Sequence, residues 1–219
     1  MCQGYSHFSC PFWDPVVRMT LRIRMMASGE EVCAIPLAEI DMLICASDRS
    51  TSALKRYLQS LIGVPRFRQR LVCEDGAVLE DAARFDTFTQ LMLVSLSCAP
   101  NSAEKSSELE QAAQNNNVLK VEEMLHACQD PNGLGTAIPL LGAAGCGNHV
   151  CVRLLLEARA DANTAHPETG ETPLFMAAEN RHLEVVRTLL KEGADNDKAT
   201  TDIGVTPLLV AAENGHLEV

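Results

Sequence analysis

The chain is short of positive charge, of aromatic residues and of long apolar runs, and each shortage removes a class of function. No apolar stretch approaches the roughly 20 residues that a membrane-spanning helix needs, and the N-terminus has no signal-peptide core. Lys and Arg number 18 against 29 Asp and Glu, a net charge of −11. The imbalance is local: residues 1–98 carry 10 basic and 11 acidic side chains, whereas residues 99–219 carry 8 and 18. A C-terminal half with net charge −10 repels phosphate backbones, so nucleic acid is not expected as a partner. There is no nucleophile elbow, phosphate loop or metalloprotease spacing, so neither catalysis nor a cofactor is expected. Four of the nine aromatics, Tyr5, Phe8, Phe12 and Trp13, crowd one N-terminal tail. They read either as a linear motif that anchors a partner or as a dispensable leader ahead of Met19.

Cysteine is the exception to this thinness, but the nine residues are odd in number and lack paired spacing. They read as reduced thiols of a cytoplasmic protein, used as small apolar residues. Cys146, His149 and Cys151 invite a metal reading. Their equivalents one unit later are Asn180, Leu183 and Val185, so no zinc site is expected there. Cys2, His7 and Cys10 fall in the tail and are read the same way.

What the chain does contain is a period of thirty-four residues. Leu174-Phe-Met-Ala-Ala-Glu-Asn-Arg-His-Leu-Glu-Val185 returns as Leu208-Leu-Val-Ala-Ala-Glu-Asn-Gly-His-Leu-Glu-Val219, each copy preceded by Thr-Pro. An earlier copy surrounds Ala143-Ala144 and ends in Ala160-Asp-Ala-Asn163, and a fainter one surrounds Ala112-Ala113. Thr172 and Thr206 can cap a helix whose first residue is Pro173 or Pro207. The Ala pairs keep the first helix slim, and Gly147 and Gly215 suit its left-handed end. Val185, Val186, Leu189 and Leu190 form the stripe of a second helix, and Gly193-Ala-Asp turns the chain outward. Such a unit cannot bury its apolar face alone and must stack.

These residues resemble the ankyrin repeat over about 108–219. The resemblance implies an all-α solenoid of about three and a half repeats, truncated at the C-terminus, that binds proteins. Phe175 and Leu209 stand where the family usually has His, and Arg159 and Arg181 where it usually has Gly, which puts those two turns in question. Because the second helix of the last unit has barely begun at Val219, Val186, Leu189 and Leu190 are expected to be under-covered.

Residues 1–98 lack this period. Thr20-Leu-Arg-Ile-Arg-Met25 alternates as a strand, Ala27–Glu30 turns, and Glu31–Ile35 returns as a hairpin. Leu54, Leu58, Leu61 and Ile62 mark a helix that ends at Gly63-Val-Pro65, and strands follow at 70–73 and 91–96. Gly63-Val-Pro65, Gln69-Arg-Leu-Val72, Gly76-Ala-Val-Leu-Glu-Asp81 and Leu91-Met-Leu-Val94 resemble the ubiquitin β-grasp. The resemblance departs at Leu37–Ser50, an apolar insert that either packs on the sheet or is an unspliced remnant. It departs again at residues 96–100, where no Gly-Gly tail follows, so an integral ubiquitin-like domain is implied rather than a modifier. The expected organisation is an α+β ubiquitin-like β-grasp domain followed by the ankyrin solenoid: 1–18 a disordered tail, 19–98 the ubiquitin-like domain, 99–107 a linker and 108–219 the repeats.

The function that follows is a non-enzymatic adaptor or scaffold, the repeats binding a protein target and the ubiquitin-like domain docking a second partner. A receptor of the ubiquitin system is implied for that partner by the resemblance alone. The alternative is the N-terminal targeting region of a larger enzyme, such as an ankyrin-containing ubiquitin ligase. A third reading has the ubiquitin-like domain acting only as a cap for the stack. Candidate contact residues on the repeats are Met176, Glu179, Asn180, Val210, Glu213 and Asn214, with burial the competing role for Met176 and Val210. On the first domain they are Val72, Met92 and Val94, the counterparts, with Ala27, of ubiquitin's apolar patch. Arg66, Arg68 and Arg70 complete the set, either as solvated charge or as a contact for an acidic surface, including the chain's own repeats.

Overall fold

Strand β1 (Thr20–Met25) buries Leu21 and Ile23 completely and exposes Arg22 and Arg24, the alternation that a sheet covered on one face requires. The computed structural model describes residues 20–36, 50–84, 90–97 and 102–218. The tail at 1–18 and nearly all of the 37–50 insert therefore lie outside the described residues. Two compact units result, Met1–Leu54 with Leu71–Val94, and Lys55–Arg70 with Ser95–Val219. This partition differs from a boundary drawn at residue 98, because a short internal segment groups with the repeats.

In the first unit β1 pairs antiparallel with β2 (Glu31–Pro36), Leu21 opposite Ile35 and Ile23 opposite Cys33. The turn between them uses Gly29 at φ 68°. On its other edge β1 runs parallel to β4 (Gln90–Ser95), Ile23 opposite Leu91. With β3 (Gln69–Cys73) the strands form a mixed four-stranded sheet in the order β2-β1-β4-β3. Helix α1 (Thr51–Ile62) follows the hairpin, and its opening turn is held by the Thr51 N–H and hydroxyl, both donating to the carbonyl of Ala83 at 2.8 and 2.9 Å.

The second unit contains seven α-helices among the described residues after Ser95. First helices α2 (Ala103–Gln114), α4 (Pro139–Gly145), α6 (Pro173–Glu179) and α8 (Pro207–Glu213) pack side by side. Second helices α3 (Val118–His126), α5 (His149–Glu157) and α7 (Leu183–Lys191) form a parallel row behind them. The stretch read as a linker is helical from Ala103. Ser102 caps it by accepting from the Lys105 N–H at 3.3 Å, and Ser106, Leu109, Ala112 and Ala113 bury one face. Polarity alone misleads there, since an end helix needs only a narrow apolar stripe.

Each hairpin ends its helices with a left-handed residue. After the first helices these are Asn116, Gly147, Arg181 and Gly215, and after the second helices Cys128, Arg159 and Gly193, all at φ between 54° and 85°. The N–H one residue further on bonds back into the helix, as in Asn148 to Ala143, His182 to Ala177 and Ala160 to Leu155. Arg159 and Arg181 thus keep the glycine turn despite their side chains. Arg159→Gly is expected to stabilise the chain by about 0.5–1 kcal/mol, relief of left-handed strain less the glycine's extra chain entropy. Urea denaturation of the full chain measures this, and a loss of stability would mean that the Arg159 side chain contributes more than its strain costs.

The stack is better covered at its end than the sequence implies. Val186 and Leu189 are buried, and only Leu190 is substantially exposed. Leu189 belongs to the main repeat core, and Val186 shares a groove with Leu174, Ala178 and Pro207, so the last first helix already shields it.

Candidate functional site

The first helices carry the residues most regularly presented. Thr172 and Thr206 cap α6 and α8, accepting from the N–H groups of Phe175 at 3.1 Å and Leu209 at 3.3 Å. Ala143, Ala144, Ala177, Ala178 and Ala211 are buried, which allows the helices their close approach. At the helix ends side chains reach across to the preceding repeat. His182 Nε2 lies 3.1 Å from the carbonyl of Gly145 and His216 Nε2 3.0 Å from that of Glu179. Asn148, one repeat earlier, donates to the carbonyls of Ala113 and Gln114, both at 2.7 Å.

Of the candidate contact residues on this face, Asn180, Glu213 and Asn214 are exposed and Glu179 is half-buried. The asparagines are not free rotors. Asn180 donates to the carbonyl of Met176 at 2.9 Å, and Asn214 to that of Glu179 at 3.3 Å. Met176 is half-buried against Phe175, Ala178, Val205, Val210 and Ala211, while Val210 is a buried member of that cluster. In the first of these helices, Glu110 is held above the usual carboxylate range by burial, an effect opposed by the Ile138 N–H and by His166.

A second ladder runs through the loops. Asp130, Asp161 and Asp195 each accept from the N–H two residues on, at 2.9–3.0 Å. Between repeats, Asn132 accepts from the Asp161 N–H at 2.8 Å and Asn163 from the Asp195 N–H at 2.7 Å. The residue types that recur in the sequence are thus those that bond one repeat to the next.

A comparison with family models agrees with this stack of helical hairpins. The model for ankyrin repeats matches three copies, over residues 109–200 and 140–219. The chain belongs to the ankyrin-repeat family. Among curated proteins none matches the chain.

The segment Lys55–Arg70, which precedes the ankyrin repeats in sequence, packs with them. Its Phe67 is 1% exposed within the main repeat core, its ring meeting that of His126 edge-on with centroids 5.0 Å apart. Arg66, 2% exposed, lies 4.0 Å over the Phe67 ring and bonds Glu157 at 2.8 Å and Glu122 at 3.1 Å. Arg70 donates to the carbonyl of His126 at 2.6 Å. Of the basic cluster, Arg66 therefore turns its charge inward to the repeats, while Arg68 and Arg70 remain half-exposed. On the sheet, Met92 and Val94 are half-exposed and Val72 is buried. Alternation along β4 places Met92 and Val94 on the face opposite the buried Leu91 and Leu93.

No group of three metal-ligating side chains forms among the described residues. Cys146 is exposed, Cys151 is buried with its thiol pushed up by burial, and His149 Nε2 lies 3.1 Å from the Thr188 hydroxyl. Among the described residues no helix is long and apolar enough to cross a membrane. Arg153 and Arg159, outside the sequence candidates, are exposed side by side on one cleft with Arg56, and the arginine at a glycine position is the signal that marks Arg159 in the sequence.

Proposed function

We propose that this ankyrin protein is a non-enzymatic, cytoplasmic adaptor. In this reading its repeats engage a protein target, and its N-terminal region, as a ubiquitin-like β-grasp domain, docks a partner from the ubiquitin system. Ankyrin repeats generally mediate protein–protein interaction and the family is generally non-enzymatic. The observation that carries target binding is the cross-repeat bonding of His182 and His216, which rigidifies the surface bearing Glu179, Asn180, Glu213 and Asn214. A surface ordered before contact loses little entropy on binding. Support for the β-grasp part comes from the strand order β2-β1-β4-β3, the parallel central pair and the helix that follows the first hairpin. Met92 and Val94 are its candidate contacts, with Val72 contributing little from its buried position.

The test is affinity capture by the full chain against a Glu179→Lys, Glu213→Lys variant with an unchanged melting temperature. Loss of one defined set of captured proteins, recovered on reverting both charges, is the expected result. Identical capture by both proteins would remove this surface from the function.

A second reading, in which the segment Lys55–Arg70 serves to cap the repeats, is favoured by the burial of Arg66 and Phe67 among repeat residues. The two readings are compatible, since one segment can stabilise the stack while other surfaces bind partners.

A further inference from the structure

The ankyrin half is strongly acidic, yet one cleft in it gathers arginines. Arg56 from α1, Arg153 from α5 and Arg159 from the turn after α5 line it together. Two carboxylates share the cleft, Glu157 and Glu192. The Glu157 carboxylate is already bonded to Arg66 at 2.8 Å, and its distance of 3.9 Å to Arg56 is a long contact. Arg153 and Arg159 are both exposed, and neither has an ion pair or side-chain hydrogen bond among the described residues.

Three features make this more than solvated charge. In a segment of net charge −10, two unpaired arginines face one space although carboxylates are plentiful elsewhere. Arg159 also holds its side chain there at a left-handed φ of 72°, a position filled by Gly193 in the next repeat. The helices on either side fix that turn, and so hold the Arg159 backbone in place at the cleft. Finally, the walls are fixed. Gln59 donates to the Glu157 carbonyl at 3.2 Å, and the Thr188 hydroxyl donates to the Glu184 carbonyl at 2.8 Å.

We propose that this cleft binds a phosphorylated serine or threonine in a protein partner, with Arg153, Arg159 and Arg56 supplying the guanidinium donors. A phosphate monoester is a compact, nearly dianionic group with three acceptor oxygens, which planar arginine forks match in pairs. A polynucleotide is disfavoured by the acidic surface around the cleft, which acts on a long polyanion but is largely screened beyond about 8 Å for a single group. The site is separate from the surface carrying Glu179 and Glu213, so failure of one leaves the other standing.

The experiment uses the full chain immobilised over a synthetic peptide library with one fixed central position, made in phosphoserine, serine and glutamate forms. Retention of phosphoserine peptides should exceed that of serine peptides by roughly tenfold or more, the effect of a charge-assisted bidentate contact. Arg153→Gln with Arg159→Gln should abolish the difference, while Glu179→Lys with Glu213→Lys leaves it intact. Arg153→Lys, which keeps the charge but loses the fork, should fall between the two and guards against misfolding of the double variant. Equal retention of phosphoserine and serine peptides would overturn the proposal. So would a preference unmoved by the double variant, or binding seen only to phosphoinositide vesicles or to single-stranded RNA.

Discussion

Phe67→Ala is expected to lower the unfolding free energy of the full chain by about 3–5 kcal/mol, the cost of emptying a close-packed aromatic site. The ring belongs to the same buried cluster as Leu109, Val121 and Leu125 of the first ankyrin hairpin, although it precedes them in sequence by some forty residues or more. It also supports Arg66, whose guanidinium lies 4.0 Å above it while bonded to Glu157 and Glu122. Removing the ring therefore opens a cavity and loosens an ion-paired arginine at once. Arg66→Ala should cost less, about 1–3 kcal/mol, because the two glutamates retain enough exposure to regain water. Guanidinium denaturation measures both. A loss below about 1 kcal/mol for Phe67→Ala would mean that the segment only rests on the repeats, and with it the capping reading would fall.

Gly133→Ala is the second large effect. Gly133 takes φ 73°, and a Cβ built there would sit 1.9 Å from the carbonyl oxygen of Ala137 and 2.8 Å from Pro139 Cδ. Neither neighbour is a flexible side-chain end. The oxygen accepts from Leu134 N–H at 3.2 Å in the turn that leads into α4, so relieving the clash means breaking that turn. The left-handed strain and the steric displacement together should cost about 2–5 kcal/mol. Gly135, two residues on, has a similar φ of 66° but open space around its Cα, so Gly135→Ala should carry only the strain. Melting curves of the two variants decide the point, and equal shifts would show that the loop moves aside at no cost.

Much of the ankyrin half was legible because a solenoid repeats its contacts. Each repeat meets only its neighbours, so Thr172 and Thr206, the Ala pairs, and His182 and His216 must recur at the same offset. The left-handed turns were legible where glycine marks them, at Gly147, Gly193 and Gly215, and questionable at Arg159 and Arg181. There the same backbone turn is kept because the helices on either side require it. The strands of the first unit were readable from alternation at Leu21 and Ile23, and helix α1 from the Gly63-Val-Pro65 stop. The burial of Val210 in its cluster, and of Val72 in β3, was not, since a valine reads alike on either side of a partly covered face.

The contacts that join distant segments had no local signal. Ninety-one residues separate Arg66 from Glu157, and nothing at either place names the other. The sequence by itself determined the period, the helical hairpins and hence the protein-binding family, because those depend on interactions within one unit and to the next. Only the tertiary structure decided that residues 55–70 pack with the repeats, that Arg66 is consumed there, and that Arg56, Arg153 and Arg159 share one cleft. Those outcomes depend on side chains brought together by the completed stack, and long-range packing has no repeat for a sequence to record.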